Sequence, residues 1–447
     1  MTIDNAEIIS NKNQLLAYLE ACTKPKRDWK IGLEYEIFAY NAASKKPLDY
    51  NGTPGITNLF RELQKQGWTA QHESGFITKL YNGFSNISLE PGGQLELSST
   101  PHENMHQIYN ELSTYTEQLT SIGDALGISY LTLGFHPEWN LHEIPKMPNP
   151  NNRYNIIAYY LGQVGRHGID MMYRTCSAQA SLDYGSESDM VKKYRVSLAL
   201  QPILTALFSN SPFMDGTPSN YLSARSYAWS MANPKRTGMF PIIFEEGFSF
   251  EKYVDYALDL PLYLIFREGK YIDAHGQPFR DFLEGSLTVL PGQLPTLNDW
   301  QNHIGTLWPE VRLKNVLEIR GADSGPVSRV CALTAITTGL LYEQSSLDAA
   351  WDTVKTWDSQ TRNCLYREVI HKGLKTVINK NSTVKDIAKE ILDIASAGLK
   401  TRNQNEAFYL DSAYEIVETG QTLANILTQN YYGKWQNSIN IEELNPF

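Results

Sequence analysis

The sequence predicts an α+β fold, with a largely antiparallel β-sheet that carries acids on one face, helices flanking it and a helical C-terminal quarter. Three observations predict this. Strand-like stretches are spread over the first three-quarters of the chain without strict alternation with helices, which disfavours a doubly wound sheet. From residue 327 to about 427 the apolar spacing is helical almost throughout. Finally, GLEYEIF, SLEPGGQLELSS and VLEIRGAD each hold charged side chains an even number of residues apart, hence on one face of a strand.

In chain order, KNQLLAYLEAC (12–22) has helical apolar spacing, and WKIGLEYEIFAY (29–40) alternates as a strand. NLFRELQKQG (58–67) is a short helix closed by glycine. Residues 88–99 form two strand pieces around Pro91-Gly92-Gly93, 103–126 a long amphipathic helix, and 128–137 a strand. A helix is predicted over 152–165, a strand over 168–183 and a long helix over 186–210. That helix starts at Ser186 with Asp189 three residues on, as a capping box requires. The stretch 211–300 is mixed, with a helix near 250–258 and a strand near 261–267; residues 316–323 are a strand. We expect a catalytic core over 1–326 and a helical region over 327–447 packed on it.

The 447 residues can bury a large core, and the net charge of −10 argues against nucleic acid or anionic lipid as the main partner. Four widely spaced cysteines (Cys22, Cys176, Cys331, Cys364) offer no CxxC pair, and no apolar run reaches membrane-spanning length. MTIDNAEIISNKNQLL lacks the pattern of a signal or transit peptide, so a soluble, cytoplasmic protein is expected. GxxxxGK[ST], GxGxxG and GxSxG are all missing, so any ATP is not held by a P-loop.

Glu34 and Glu36 share a face, as do Glu90 and Glu96 if the glycine pair keeps register, and Glu318 and Arg320. A solvated sheet face would also alternate, but it would mix lysine with the acids, and all three motifs lack lysine. Neighbouring carboxylates repel unless cations neutralise them, and Mg²⁺, a hard ion with oxygen ligands, suits that role. In RTCSAQASLD, Thr175, Ser177, Gln179, Ser181 and Asp183 alternate with small apolar residues, either as a substrate floor or as an exposed polar face. Arg153, Arg174, Arg225, Arg236, Arg312, Lys314 and Arg320 sit mostly among aromatic and small residues and could meet phosphate or carboxylate. His136, after a strand in GFHPEW, fits a ligand or a turn residue.

The ordered blocks IGLEYEIF, SLEPGGQLELSS, LGFHPEW, GIDMMYRTCSAQASLD, ALQPILTALFSNSPF, NYLSARSYAW, KRTGMFP, KYVDYALDLPLY, LPTLNDWQNH and PEVRLKNVLEIRGADSGP resemble glutamate–cysteine ligase of the plant and proteobacterial type. That family belongs to the carboxylate–amine ligases related to glutamine synthetase. The resemblance implies an ATP- and Mg²⁺-dependent ligase. It would join the γ-carboxylate of L-glutamate to the amine of L-cysteine through γ-glutamyl phosphate, the first step of glutathione biosynthesis, as a monomer or homodimer. By the same resemblance, Glu34, Glu36, Glu90, Glu96, Glu318 and His136 form the Mg²⁺-ligand pool. Arg320 and Glu318 are catalytic, with Arg312, Lys314 and Arg320 on ATP. Arg153 and Arg225 hold the glutamate carboxylates, and Arg174, Thr175, Tyr263 and Trp229 wall that pocket. Plant members carry additional cysteines, one of them after the aspartate of YIDAHG, where this chain has alanine. Thiol regulation is therefore not expected. Two rivals remain at this point: a ligase for another amine, and an inactive homologue that binds glutamate or nucleotide.

Overall fold

The computed structural model describes residues 7–444; the opening MTIDNA, on which part of the leader reading rests, lies outside them. Nine strands make the main sheet: β1 (Ile31–Asn41), β2 (Thr69–Glu73), β3 (Phe76–Asn82), β4 (Ser85–Leu89), β5 (Leu95–Ser98), β6 (Ile128–Leu131), β7 (Ser177–Leu182), β8 (Val311–Leu313) and β9 (Leu317–Asp323). Their order is β8-β9-β7-β1-β5-β4-β3-β2, and β6 pairs with the second half of β1; every pairing is antiparallel.

The two faces of β1 follow from its period of two. Leu33, Tyr35 and Ile37 point into a core shared with Leu95, Leu97, Ala178 and Ile319, whereas Glu34 and Glu36 point the other way. Helices Met105–Leu126, Glu187–Leu207 and Val327–Leu341 supply the apolar side chains on the Leu33 side. One continuous cluster of buried apolar residues runs from Ile9 to Val417, so the C-terminal helices share the core of the sheet. Among the described residues no helix is long and apolar enough to cross a membrane.

Most elements fall where the periodicity puts them, with three differences. The strand expected over 168–183 is a helix, Gly168–Arg174, followed by β7. An Asp170–Arg174 ion pair one turn apart (3.0 Å) and the Thr175 hydroxyl donating to the Met171 carbonyl (2.6 Å) close that turn, which period-two reading misses. Strand β6 ends at Leu131 rather than 137. Ser186 does cap its helix, accepting the Asp189 N–H at 3.2 Å, but Asp189 accepts from Gly185 (2.7 Å) instead of closing the box on Ser186.

Candidate active site

Register turns the isolated acids into a row. Glu36 lies directly opposite Glu96 on β5, Glu96 opposite Ser88 on β4, and Ser88 opposite Lys79 on β3. One rung along, Glu34 pairs with Gln179 on β7; one further, Arg312 pairs with Glu318, and Glu318 with Ser181. Glu90 joins from the β4–β5 turn, where Gly93 N–H donates to the Glu90 carbonyl at 2.9 Å. Glycine is required at position 92, because a Cβ there would lie 2.3 Å from the Tyr173 carbonyl oxygen. The turn thus packs flat against helix Gly168–Arg174 and keeps Glu90 and Glu96 on one face.

Four of these acids border a cavity of about 300 Å³. Glu34, Glu36, Glu90 and Glu96 line one side, with Gln94 and Gln179 among them; Arg153, Arg312, Lys314 and Arg320 supply the positive charge; Thr175, Trp229, Met171, Met172 and Trp308 complete the wall. A second cavity of about 360 Å³ adjoins it, sharing Glu90, Glu96, Arg153 and Tyr154 and adding Lys79 and Tyr271.

The row divides electrostatically in two. Burial, followed by the Glu318 and Glu96 charges, pushes Glu34 up to about 7. Burial together with Glu96 and Glu36 pushes Glu90 up to about 8. Glu36 and Glu96 are raised too, chiefly by burial, although Arg225 and Arg320 work against the rise at Glu36. Glu36 keeps two donors, the Ser177 N–H at 2.7 Å and the Gln179 amide at 3.1 Å. Glu318 behaves in the opposite way. Burial opposes its charge, yet Arg312, Lys314 and Arg320 hold it well below the usual carboxylate range. Arg312 grips it through Nε (2.7 Å) and Nη2 (3.1 Å), Arg320 through Nη1 (2.6 Å), and Lys314 lies at 3.0 Å. Arg320 Nη1 also donates to Gln179 (2.7 Å), which aims the guanidinium along the row. The site therefore pairs under-neutralised acids with cations already committed to one buried carboxylate, an arrangement short of positive charge beside Glu34, Glu90 and Glu96.

Not every candidate reaches the cavity. Glu318 lies beneath its lining, fully buried by its three cations. Arg225 stands one layer back: Nη2 donates to the Arg320 carbonyl (2.9 Å), and the guanidinium lies 5.2 Å over the Trp229 ring. Arg174 is taken up by Asp170 (3.0 Å) and Asp215 (2.6 Å) and stacks on Phe135. Tyr263 accepts from Asn233 (2.7 Å) and stacks on Tyr160, with Arg236 over its ring. His136 is buried away from the acids, stacked at 3.5 Å on Trp139, with Nδ1 accepting the Trp139 N–H (3.0 Å). Burial, with Arg174 nearby, keeps its pKa well below the usual histidine value, so it serves the turn and not the acid row. Sequence reasoning did not single out Gln94, Tyr154, Met171, Met172, Trp308 and Lys79. The methionines could have been found only by recognising their helix.

Among the described residues no three His, Cys, Asp or Glu side chains converge closely enough to hold a metal ion by themselves. The donor set nevertheless suits Mg²⁺, which takes one or two carboxylates and completes its shell with water and substrate phosphate. Four glutamates, three of them raised partly by one another's charge, provide those oxygens.

The model of glutamate–cysteine ligase family 2 matches residues 30–444. Glutamate–cysteine ligase B, chloroplastic, of Oryza sativa subsp. japonica is 45% identical over 428 residues, covering 96% of this chain and 85% of the relative. The chloroplastic glutamate–cysteine ligase of Medicago truncatula is 44% identical over 428 residues, covering 96% and 83%. Among solved structures, a Francisella tularensis glutamate–cysteine ligase in complex with AMP superposes with a TM-score of 0.55 at 14% identity, over 91% of this chain and 85% of that one, a likeness of fold. The expectation of a cytoplasmic protein is overturned by these plant relatives, which are named chloroplastic. With the match spanning nearly the whole chain, the protein belongs to glutamate–cysteine ligase family 2.

Proposed function

We propose that the protein joins the γ-carboxylate of L-glutamate to the amine of L-cysteine with ATP, giving γ-glutamylcysteine, ADP and phosphate, the first step of glutathione biosynthesis. One observation carries the reading: four glutamates from three segments of one sheet face Arg153, Lys314 and Arg320 across a single cavity, in a chain 45% identical to a glutamate–cysteine ligase.

The difficulty in this reaction is bringing two anions together. A γ-carboxylate oxygen attacks the terminal phosphorus of ATP and ADP leaves, with charge spread over the transferred oxygens. Arg320, Lys314 and Arg312 turn positive charge toward that phosphoryl group, and Glu318 holds all three in place. Such preorganised charge is typically worth about 10²–10³ in rate. Arg153 presents its guanidinium to a glutamate carboxylate, with Thr175 and Trp229 walling that side, and Arg225 braces Trp229 from behind. The cysteine amine then attacks the acyl carbon, phosphate leaves and the amine gives up a proton. The adjoining cavities, joined at Glu90, Glu96 and Arg153, give two substrates room to meet at the acid row. Glu34, Glu36, Glu90 and Glu96 would hold Mg²⁺, which when bound neutralises the phosphate oxygens and orients them.

The test is phosphate release with ATP, Mg²⁺, glutamate and a panel of amines. Turnover with L-cysteine well above that with alanine or 2-aminobutyrate supports the reading. Equal rates with all three would reject cysteine as the acceptor, and ADP binding without turnover would support the inactive homologue.

A further inference from the structure

We infer that Asp323 is a positioning residue, whose buried carboxylate locks the start of helix Ala224–Ala232 onto the strand carrying Arg320 and so holds Trp229 against the cavity. The inference rests on the proposed function, in which the Trp229 wall handles glutamate.

Asp323 ends β9, three residues beyond Arg320. Between Ile319 and Ala322 the pairing with β7 slips by one residue, so that Ile319 faces Ala180 while Ala322 faces Ala178. This bulge reverses the parity of the strand. Odd-numbered Asp323 now sits opposite Ser177, on the same face as Glu318, instead of entering the apolar core.

There its carboxylate collects three donors. Oδ1 accepts the Ser223 hydroxyl (2.7 Å); Oδ2 accepts the Ser211 hydroxyl (2.6 Å) and the Asn210 N–H (2.8 Å). Both serines build the helix start. Ser223 is the N-cap, its oxygen accepting the Ser226 N–H (3.0 Å). The Ser211 hydroxyl accepts the Arg225 N–H (3.3 Å), and its carbonyl accepts the Ala224 N–H (2.9 Å). Asp323, Asn210, Ser211 and Ser223 are all buried, so water offers no substitute. One turn on, Trp229 donates from Nε1 to the Thr175 hydroxyl (3.3 Å) and lines the cavity, with Arg225 beneath it bonded to the Arg320 backbone. One side chain therefore fixes the distance between the Arg320 strand and the Trp229 helix without touching a reacting atom.

Asp323→Asn keeps the shape but turns one acceptor into a donor. An amide NH₂ then faces the Ser223 hydroxyl, whose proton loses its acceptor, or the Ser211 and Asn210 donors lose theirs. Losing hydrogen bonds to a buried charged group is worth about tenfold or more in an equilibrium.

The experiment measures the glutamate and ATP KM separately, by phosphate release from the full chain, for Asp323→Asn, Ser211→Ala, Ser223→Ala and a control, Trp229→Ala, each with a thermal melt. The expected result is a glutamate KM raised about tenfold in Asp323→Asn, and in the same direction in the serine variants, with the ATP KM within about twofold. If Asp323→Asn fails to fold, the two serine variants decide. A rise for Trp229→Ala with none for the other three overturns the clamp and leaves the proposed function standing. No rise for Trp229→Ala removes the glutamate role of that wall and the clamp with it. Glutamate and ATP KM rising together in the clamp variants indicates general loosening and overturns the inference.

Discussion

Glu318→Gln separates the buried cation hub from the acid row most cleanly. Wild-type Glu318 is fully buried and takes contacts from three cations, at 2.7 and 3.1 Å from Arg312, 2.6 Å from Arg320 and 3.0 Å from Lys314. Glutamine offers one acceptor oxygen, and its NH₂ must face a guanidinium or ammonium donor. Breaking a buried ion cluster by removing one partner costs about 3–5 kcal/mol. With about 2.1 cal/mol/K of unfolding entropy per residue, the 447-residue chain should melt about 4 °C lower. Arg320 keeps its bond to Gln179 but loses the charged partner that holds it, Arg312 and Lys314 together, so kcat should fall by about 10²–10³. The pH dependence has a defined sign. Glu318 is depressed in the folded state, so its contribution is present above the ordinary carboxylate range and is lost as pH falls through its folded value. The wild-type advantage should therefore narrow in acid. Scanning fluorimetry carried from neutral pH to well below the ordinary carboxylate range tests the narrowing, and phosphate release at neutral pH tests the rate. A variant that melts within a degree of wild type and turns over normally would refute the hub's role in both stability and rate.

Other perturbations probe the row and its supports. Glu34 and Glu90, pushed up to about 7 and about 8, hold protons near neutrality that a divalent cation must displace. Mg²⁺ should thus raise the melting temperature more at pH 8 than at pH 6, and an equal or reversed effect in calorimetry would contradict that. Arg320→Ala should lower kcat by about 10²–10³ while leaving the fold intact by circular dichroism; unchanged kcat would remove its role at the phosphoryl group. Gly321→Ala places a Cβ 2.0 Å from Glu310 and 2.3 Å from Gln201, both buried, and should destabilise by about 1–3 kcal/mol in a urea titration. An unchanged midpoint would show that the bulge relaxes.

Where side-chain direction follows from local periodicity, the sequence was readable. Glu34 and Glu36 alternate with Leu33, Tyr35 and Ile37 in the first half of β1, so their common face followed from counting, and the glycine turn kept Glu90 and Glu96 in step. Features that depend on partners distant in sequence were hidden. Asp323 reads as facing away from Glu318 until the bulge reverses it, and only β7 reveals the bulge. Arg225 matches a cavity arginine by motif, yet its bond to the Arg320 carbonyl holds it one layer deeper. Gly168–Arg174 is too short to display a helical period beside the alternating strand that follows it, and only its i,i+4 ion pair and its docking against Gly92 reveal a helix. Likewise, His136 is drawn from the acids by the ring of Trp139 and a turn it caps.

The acid row serves, in this reading, to let a carboxylate attack a phosphate. Glutamate labelled with ¹⁸O in its γ-carboxylate, incubated with ATP, Mg²⁺ and cysteine, tests that step directly when the released phosphate is examined by mass spectrometry. Transfer of one ¹⁸O into each phosphate formed is predicted, since the oxygen that attacks the terminal phosphorus departs with it. Unlabelled phosphate accompanying dipeptide formation would rule out γ-glutamyl phosphate and the purpose assigned to Glu34, Glu36, Glu90 and Glu96.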